Sequence, residues 1–207
     1  MRAFDVVVYG LTLVLIFACA RTAHLFQLES QFAFYASYHA NRLNQAIHIA
    51  CIWPLLWTAL VIADFTTPIA PTPPPLGSLL TLNAGALIAA IYALYYLALD
   101  RKSAYGLLSA LGVVACYGLA RRYRTCTPDA VTTAACVHLA CWISQFAGHA
   151  LFERRAPALF ENLAQALLMA PHFVLIEVYL TLGARRDLEA LVNKRQEVFT
   201  AARARMP

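Results

Sequence analysis

Residues 47–63 read IHIACIWPLLWTALVIA, seventeen positions without a single charge. At about 1.5 Å of rise per residue, a helix of that length reaches roughly 26 Å, close to the ~30 Å hydrocarbon thickness of a bilayer. Lipid offers no partner to a backbone N–H or C=O, so a segment immersed in it must satisfy those groups internally. The run is too long and too uniformly apolar for a barrel strand, which alternates apolar and polar positions. Working outward, uncharged stretches recur at 79–99, 104–120 and 130–152, with a last one at 163–184 interrupted by Pro171 and Glu177. An earlier run, 4–20, carries only Asp5 as a charge. The expected fold is therefore all-α, a multi-pass transmembrane helical bundle of five to six spans. Between the first and second spans, Phe26, Phe32, Phe34, Tyr35 and Tyr38 interleave with Gln27, Glu29, Gln31, His39, Asn41 and Asn44, the pattern of an interfacial helix leading into a turn.

Composition supports this placement. Hydrophobic residues make up 61% of the chain and charged residues 13%, whereas soluble domains average about 45–50% and about 25%. A water-soluble globule and a disordered chain are both excluded by that balance. The net charge of +5 comes from basic residues set between apolar runs, as at Arg121-Arg122, Arg154-Arg155 and Arg185-Arg186, which suits loops at a lipid headgroup surface and not nucleic acid. The six cysteines show no CxxC spacing and most sit in apolar runs as small hydrophobes. Residues 1–28, with Arg2 ahead of an apolar core ending in Ala18-Cys19-Ala20, read as a signal anchor or a cleaved signal peptide. Residues 29–184 form the membrane-embedded domain and 185–207 a basic polar tail. The prolines at 68, 71 and 73–75 mark an extended loop.

Ionisable residues within a membrane are costly and mark functional sites. His149 and Glu153 lie four residues apart, on one face at the end of a span, with His138 and Gln145 on the same stripe. His39 and His48 flank the entry to the span that starts on that same membrane side. His39, His48, His149 and Glu153 thus converge on one end of the bundle. Neutral imidazole with carboxylate suits iron, zinc or manganese. Nine residues of unbroken helix would set His39 and His48 on opposite faces, so a shared ion requires a break between them, for which Asn41 and Asn44 offer turn chemistry. Glu153 has an alternative as a salt-bridge partner of Arg42, Arg154 or Arg155. His138 and His172 suit interhelical hydrogen bonds, and Trp53, Trp57 and Trp142 suit packing or interfacial anchoring.

Two blocks extend these residues. Phe34-Tyr35-x-x-Tyr38-His39-x-Asn41-x-x-Asn44-x-x-Ile47-His48 is followed by Pro54, and Trp142-x-x-Gln145-Phe146-x-Gly148-His149-x-x-Phe152-Glu153-Arg154-Arg155-x-Pro157-Ala158-Leu159-x-x-Asn162 is continued by Pro171, Phe173 and Glu177. Over roughly residues 30–184 the chain resembles the fungal-type 2-hydroxy fatty acid dioxygenase family. The resemblance implies a multi-pass enzyme of the endoplasmic reticulum membrane, or of the inner membrane in a bacterium. It would use Fe(II) and O2 to shorten a 2-hydroxy fatty acid by one carbon, as in fatty acid α-oxidation and phytosphingosine breakdown. His39, His48 and His149 match the family's histidines as metal ligands, and Glu153 its following acid, as a further ligand or an acceptor that fixes an imidazole. One of Arg42, Arg154 and Arg155 is expected to clamp the substrate carboxylate. Arg155 stands with Glu153 in the catalytic group, and Arg42 and Arg154 stand with Tyr38 and Gln145 in the substrate-binding group. Two departures are the N-terminal extension and Ala150, where the family pattern leads one to expect glycine. The rival functions are a b-haem electron carrier and a non-enzymatic lipid-binding or transport bundle.

Overall fold

A computed structural model describes residues 2–20, 26–72, 77, 80–154, 156–157, 163, 165–190 and 193. Its elements are helical: α1 Ala3–Ala20, α2 Leu28–Tyr38, α3 Arg42–Ala63, α4 Ala84–Leu99, α5 Ala104–Cys126, α6 Ala130–Gly148 and α7 Ala170–Thr181. Wider π-helical turns, His149–Glu153 and Gln165–Met169, follow α6 and precede α7. Each uncharged stretch of the sequence is thus helical over most of its described length. Three helices are long and apolar enough to cross a membrane, Arg42–Ala63, Ala104–Cys126 and Ala130–Glu153, while Ala3–Val14, Ala84–Leu99 and Ala166–Thr181 are shorter apolar helices.

The chain divides into two compact units, one of residues 1–23 and 53–142, the other of residues 24–52 and 143–207. In the first unit, polar groups are buried beside an apolar core, and many large apolar side chains are exposed. Asp5, Thr58, Asp64, Asn83 and Ser109 are buried, while Leu94, Leu107, Leu111, Leu119 and Leu139 are exposed. Exposed leucines along successive helices would be costly in water and are natural against lipid. The chain has the surface of a membrane-associated protein.

Local chemistry explains where these helices begin and end. Asn83 caps α4 by accepting from the Ala86 N–H, and its amide donates to both the backbone O and Oδ1 of Asp64. Ser103 caps α5 through the Tyr105 N–H. Asp5, in the first turn of α1, accepts from the Thr67 N–H and hydroxyl, which ties that turn to the loop after α3. Arg121, of one of the basic pairs, and Arg124 stand 3.9 and 3.7 Å from the buried Asp64 carboxylate. A buried carboxylate needs such compensation, and basic pairs on sequence alone do not reveal it.

The tryptophans pack. Trp57 meets Tyr123 edge-on at 4.9 Å, and Trp53 lies over Gly112. Trp142 donates to His138 Nε2, which makes the Nδ1 of that ring a donor to Thr58 Oγ1, whose own proton serves the carbonyls of Pro54 or Leu55. His138 is therefore a fully engaged interhelical bridge.

Gly106 sets the approach of α5 to the end of α4. A Cβ there would fall 2.7 Å from the carbonyl oxygens of Asp100 and Tyr96, and backbone cannot rotate aside. Gly106→Ala is expected to destabilise the protein by about 3 kcal/mol, read as a lower melting temperature in detergent. Gly118→Ala, with open space around it, is the matched control, and equal melting temperatures for the two variants would contradict the close packing.

Candidate metal centre

All members of the site belong to the second unit. His39 terminates α2 with φ −127° and ψ 58°, outside the helical region, and α3 starts at Arg42. This is the break that a shared ion requires. Asn41 makes it by accepting the Leu43 N–H on its side-chain oxygen, an N-cap interaction. Gln45 reaches back to donate to the His39 carbonyl. Asn44 has another task than the turn chemistry expected of it. It sits inside α3, and its amide donates to Glu153 Oε1.

His149 opens the π-turn that follows α6. There the chain departs from the continuous α-helix assumed in placing His149 and Glu153 on one face: the Arg154 N–H bonds to the His149 carbonyl five residues back. Arg154 then ends the turn in the left-handed region at φ 54°, a conformation that costs a non-glycine residue about 1 kcal/mol or more. Wide turns of this kind occur often at functional sites, because they re-aim side chains within an otherwise regular helix.

The result is a cluster of three buried imidazoles, His39, His48 and His149, whose candidate ligand atoms all lie within 4.8 Å of one another. Ring centroids are separated by 4.4 Å for His39–His48, 5.0 Å for His39–His149 and 4.9 Å for His48–His149, with interplanar angles of 69–80°. Rings so steeply inclined are not stacked on each other. His39 Nδ1 lies 2.8 Å from the Tyr35 carbonyl and His48 Nδ1 lies 2.9 Å from the Asn44 carbonyl. A carbonyl only accepts, so each Nδ1 carries the proton and each Nε2 keeps its lone pair. Two lone pairs cannot hydrogen-bond each other, whereas a cation accepts both, and a backbone carbonyl on the remote ring nitrogen is the usual way a ligating histidine is oriented. Metal–nitrogen bonds of about 2.0–2.2 Å bring the nitrogens around one ion to about 3–4 Å apart. The donor set suits a transition metal, and its ligand atoms, within 4.8 Å of one another, lie close to that spacing.

The other expected site residues divide. Glu153 is buried, and its Oε1 accepts from the Asn41 N–H at 2.9 Å and from Asn44 Nδ2 at 3.2 Å. It therefore anchors the start of α3, where the helix dipole also favours a carboxylate. Gln145 is buried one turn before His149, and Tyr38 is buried with its ring 5.1 Å from Phe34. Arg42 and Arg154 are exposed. Arg155 lies outside the described residues. His172 is fully buried beside Phe173 in α7 and is not one of the three clustered histidines.

Sequence reasoning missed Tyr35, Gly148 and the true role of Asn44. The Tyr35 ring stacks on the His39 imidazole at 4.0 Å and 18°. Burial, then the carboxylates of Glu177 and Glu153, hold its phenol well above the usual range, so it stays neutral. A Cβ on Gly148 would fall 2.6 Å from Asn44 Oδ1. The glycine needed for close packing thus precedes His149, and position 150 is an exposed alanine. The available signal was spacing: Tyr35 stands one helical turn before His39, and Gly148 adjoins His149.

Fold and site together define a helical, membrane-associated protein with a buried cluster of three histidines able to hold a metal ion. The chain belongs to the 2-hydroxy-palmitic acid dioxygenase Mpo1-like family, which it matches over residues 25–182. It is 44% identical over 57 residues to the 2-hydroxy-palmitic acid dioxygenase MPO1 of Saccharomyces cerevisiae, a stretch covering 28% of this chain and 33% of the yeast protein. No solved structure matches the chain.

Proposed function

We propose that this protein is an Fe(II)-dependent dioxygenase that removes one carbon from 2-hydroxy fatty acids, as a step of fatty acid α-oxidation or phytosphingosine degradation. The observation that carries it is the convergence of His39, His48 and His149 from separate elements into one buried cluster. Family membership supplies the substrate class. The balance closes as one 2-hydroxy acid and one O2 giving the acid one carbon shorter, CO2 and water, with the C1–C2 bond broken and C2 oxidised. Iron, when bound, supplies a centre at which O2 and the 2-hydroxy-carboxylate can meet, the general logic of three protein ligands with open positions.

The chain's own residues do the rest. The carbonyls of Tyr35 and Asn44 hold the His39 and His48 rings in the tautomer that leaves Nε2 for the metal. Glu153 acts through Asn41 and Asn44, fixing the turn that brings the two histidines together. An acyl chain lying along the apolar helices would gain ~0.8 kcal/mol per buried CH2. A b-haem site is disfavoured because rings with centroids 4.4–5.0 Å apart leave no slab for a porphyrin between any pair. Within the same proposal, the shorter apolar helices also cross the bilayer, for six spans in an endoplasmic reticulum membrane or a bacterial inner membrane. The helix at 3–20 stays as an anchor, since Asp5 is held by Thr67.

Membranes containing the protein, given a 2-hydroxy fatty acid, are expected to consume O2 in equimolar amount and to release the one-carbon-shorter acid. Activity should vanish on chelation and return with Fe(II). Binding of the acid without O2 uptake would instead indicate a lipid-binding bundle.

A further inference from the structure

The Tyr35 hydroxyl is the group around the cluster with no task so far. Tyr35 is only 5% exposed, and its oxygen makes no hydrogen bond. A buried donor left unsatisfied is costly enough that native structures rarely keep one without a reason. The ring is fixed on several sides. It stacks on His39 at 4.0 Å, meets Phe173 at 5.3 Å and Phe32 at 5.9 Å, and so has no freedom to swing its hydroxyl elsewhere. A phenol laid face to face on the His39 imidazole stands directly beside the histidine cluster. Of the expected carboxylate clamps, Arg42 and Arg154 are exposed, and Arg155 lies outside the described residues.

Resting on the dioxygenase function proposed above, we propose that the Tyr35 hydroxyl donates a hydrogen bond to an oxygen of the substrate's 2-hydroxy-carboxylate head, making it a substrate-binding residue of this site. The ring and the backbone carbonyl of Tyr35 orient His39, while its hydroxyl recognises the ligand. The two roles are separable because Tyr35→Phe removes only the hydroxyl.

The test is equilibrium binding of 2-hydroxypalmitate, and of a 2-hydroxy acid four carbons shorter, to purified iron-loaded protein under anaerobic conditions, where no turnover occurs. Tyr35→Phe is expected to accumulate in membranes like the wild type and to bind the same amount of iron. Its Kd should rise by about 10- to 100-fold, the range for a hydrogen bond to a charged acceptor, and by the same factor for both chain lengths because the contact is to the head. An unchanged Kd, a factor that differs between the two acids, or loss of iron would overturn the role. Failure to accumulate would also overturn it, because a hydroxyl without a protein partner contributes nothing to folding. If the wild type binds neither acid, the dioxygenase function itself falls. Wild-type binding with an unaltered variant rejects Tyr35 alone.

Discussion

His149→Ala is expected to abolish bound iron and lower 2-hydroxy acid consumption by at least about 100-fold, while the protein still inserts into membranes. The three imidazoles are the proposed donor set, and removing one would leave only the Nε2 lone pairs of His39 and His48 to hold an ion. Loss of even a group that merely orients a ligand costs 10–100-fold in metal affinity, so loss of a ligand should cost more. The fold should survive, because the helices are defined by runs of apolar residues and by caps to which this ring does not contribute. Elemental analysis, O2 uptake and membrane fractionation on one preparation measure all three quantities. A variant that keeps both iron and activity would remove His149 from the centre. One that loses membrane insertion as well would show that the imidazole serves the fold.

The second large effect is expected from Gly148→Ala, although the added group is a single methyl. That methyl would sit 2.6 Å from Asn44 Oδ1 and 3.2 Å from Ile47 Cδ1. Asn44 cannot yield freely. Its Nδ2 is bound to Glu153 and its backbone carbonyl holds the His48 ring. Relief must therefore come from moving residues 44–48 away from residues 148–149, which separates His48 from His149. Iron affinity should fall by about 10- to 100-fold, measured by competition with a chelator of known strength. Adding Asn44→Ala removes the overlapping oxygen, so the double variant should recover part of the loss, a non-additivity that marks direct contact. Strict additivity would place the methyl's effect elsewhere.

These variants also separate local information from tertiary information. The uncharged run at 47–63 specifies a helix whatever surrounds it, since a backbone in lipid has only itself to bond with. Three imidazoles in two blocks mark a candidate site, because histidine is too costly in an apolar setting to be there without a partner. The need for a break between His39 and His48 follows from helical pitch alone.

Hydrogen-bond register across distant residues is another matter. Glu153 could have been a ligand, an acceptor for an imidazole or the partner of an arginine, and packing set it on Asn41 and Asn44, 112 and 109 residues away. Asp64 found its compensating charges in Arg121 and Arg124, 57 and 60 residues away, a pairing that the basic runs alone do not reveal. The π-turn at His149–Glu153 departs from a 3.6-residue period that the sequence continues without interruption. Periodicity records which side of a helix is buried, a property of neighbours in the chain. The direction of a single polar atom depends on which groups folding brings within about 3 Å of it, and for this site those groups come from stretches 109 to 112 residues apart.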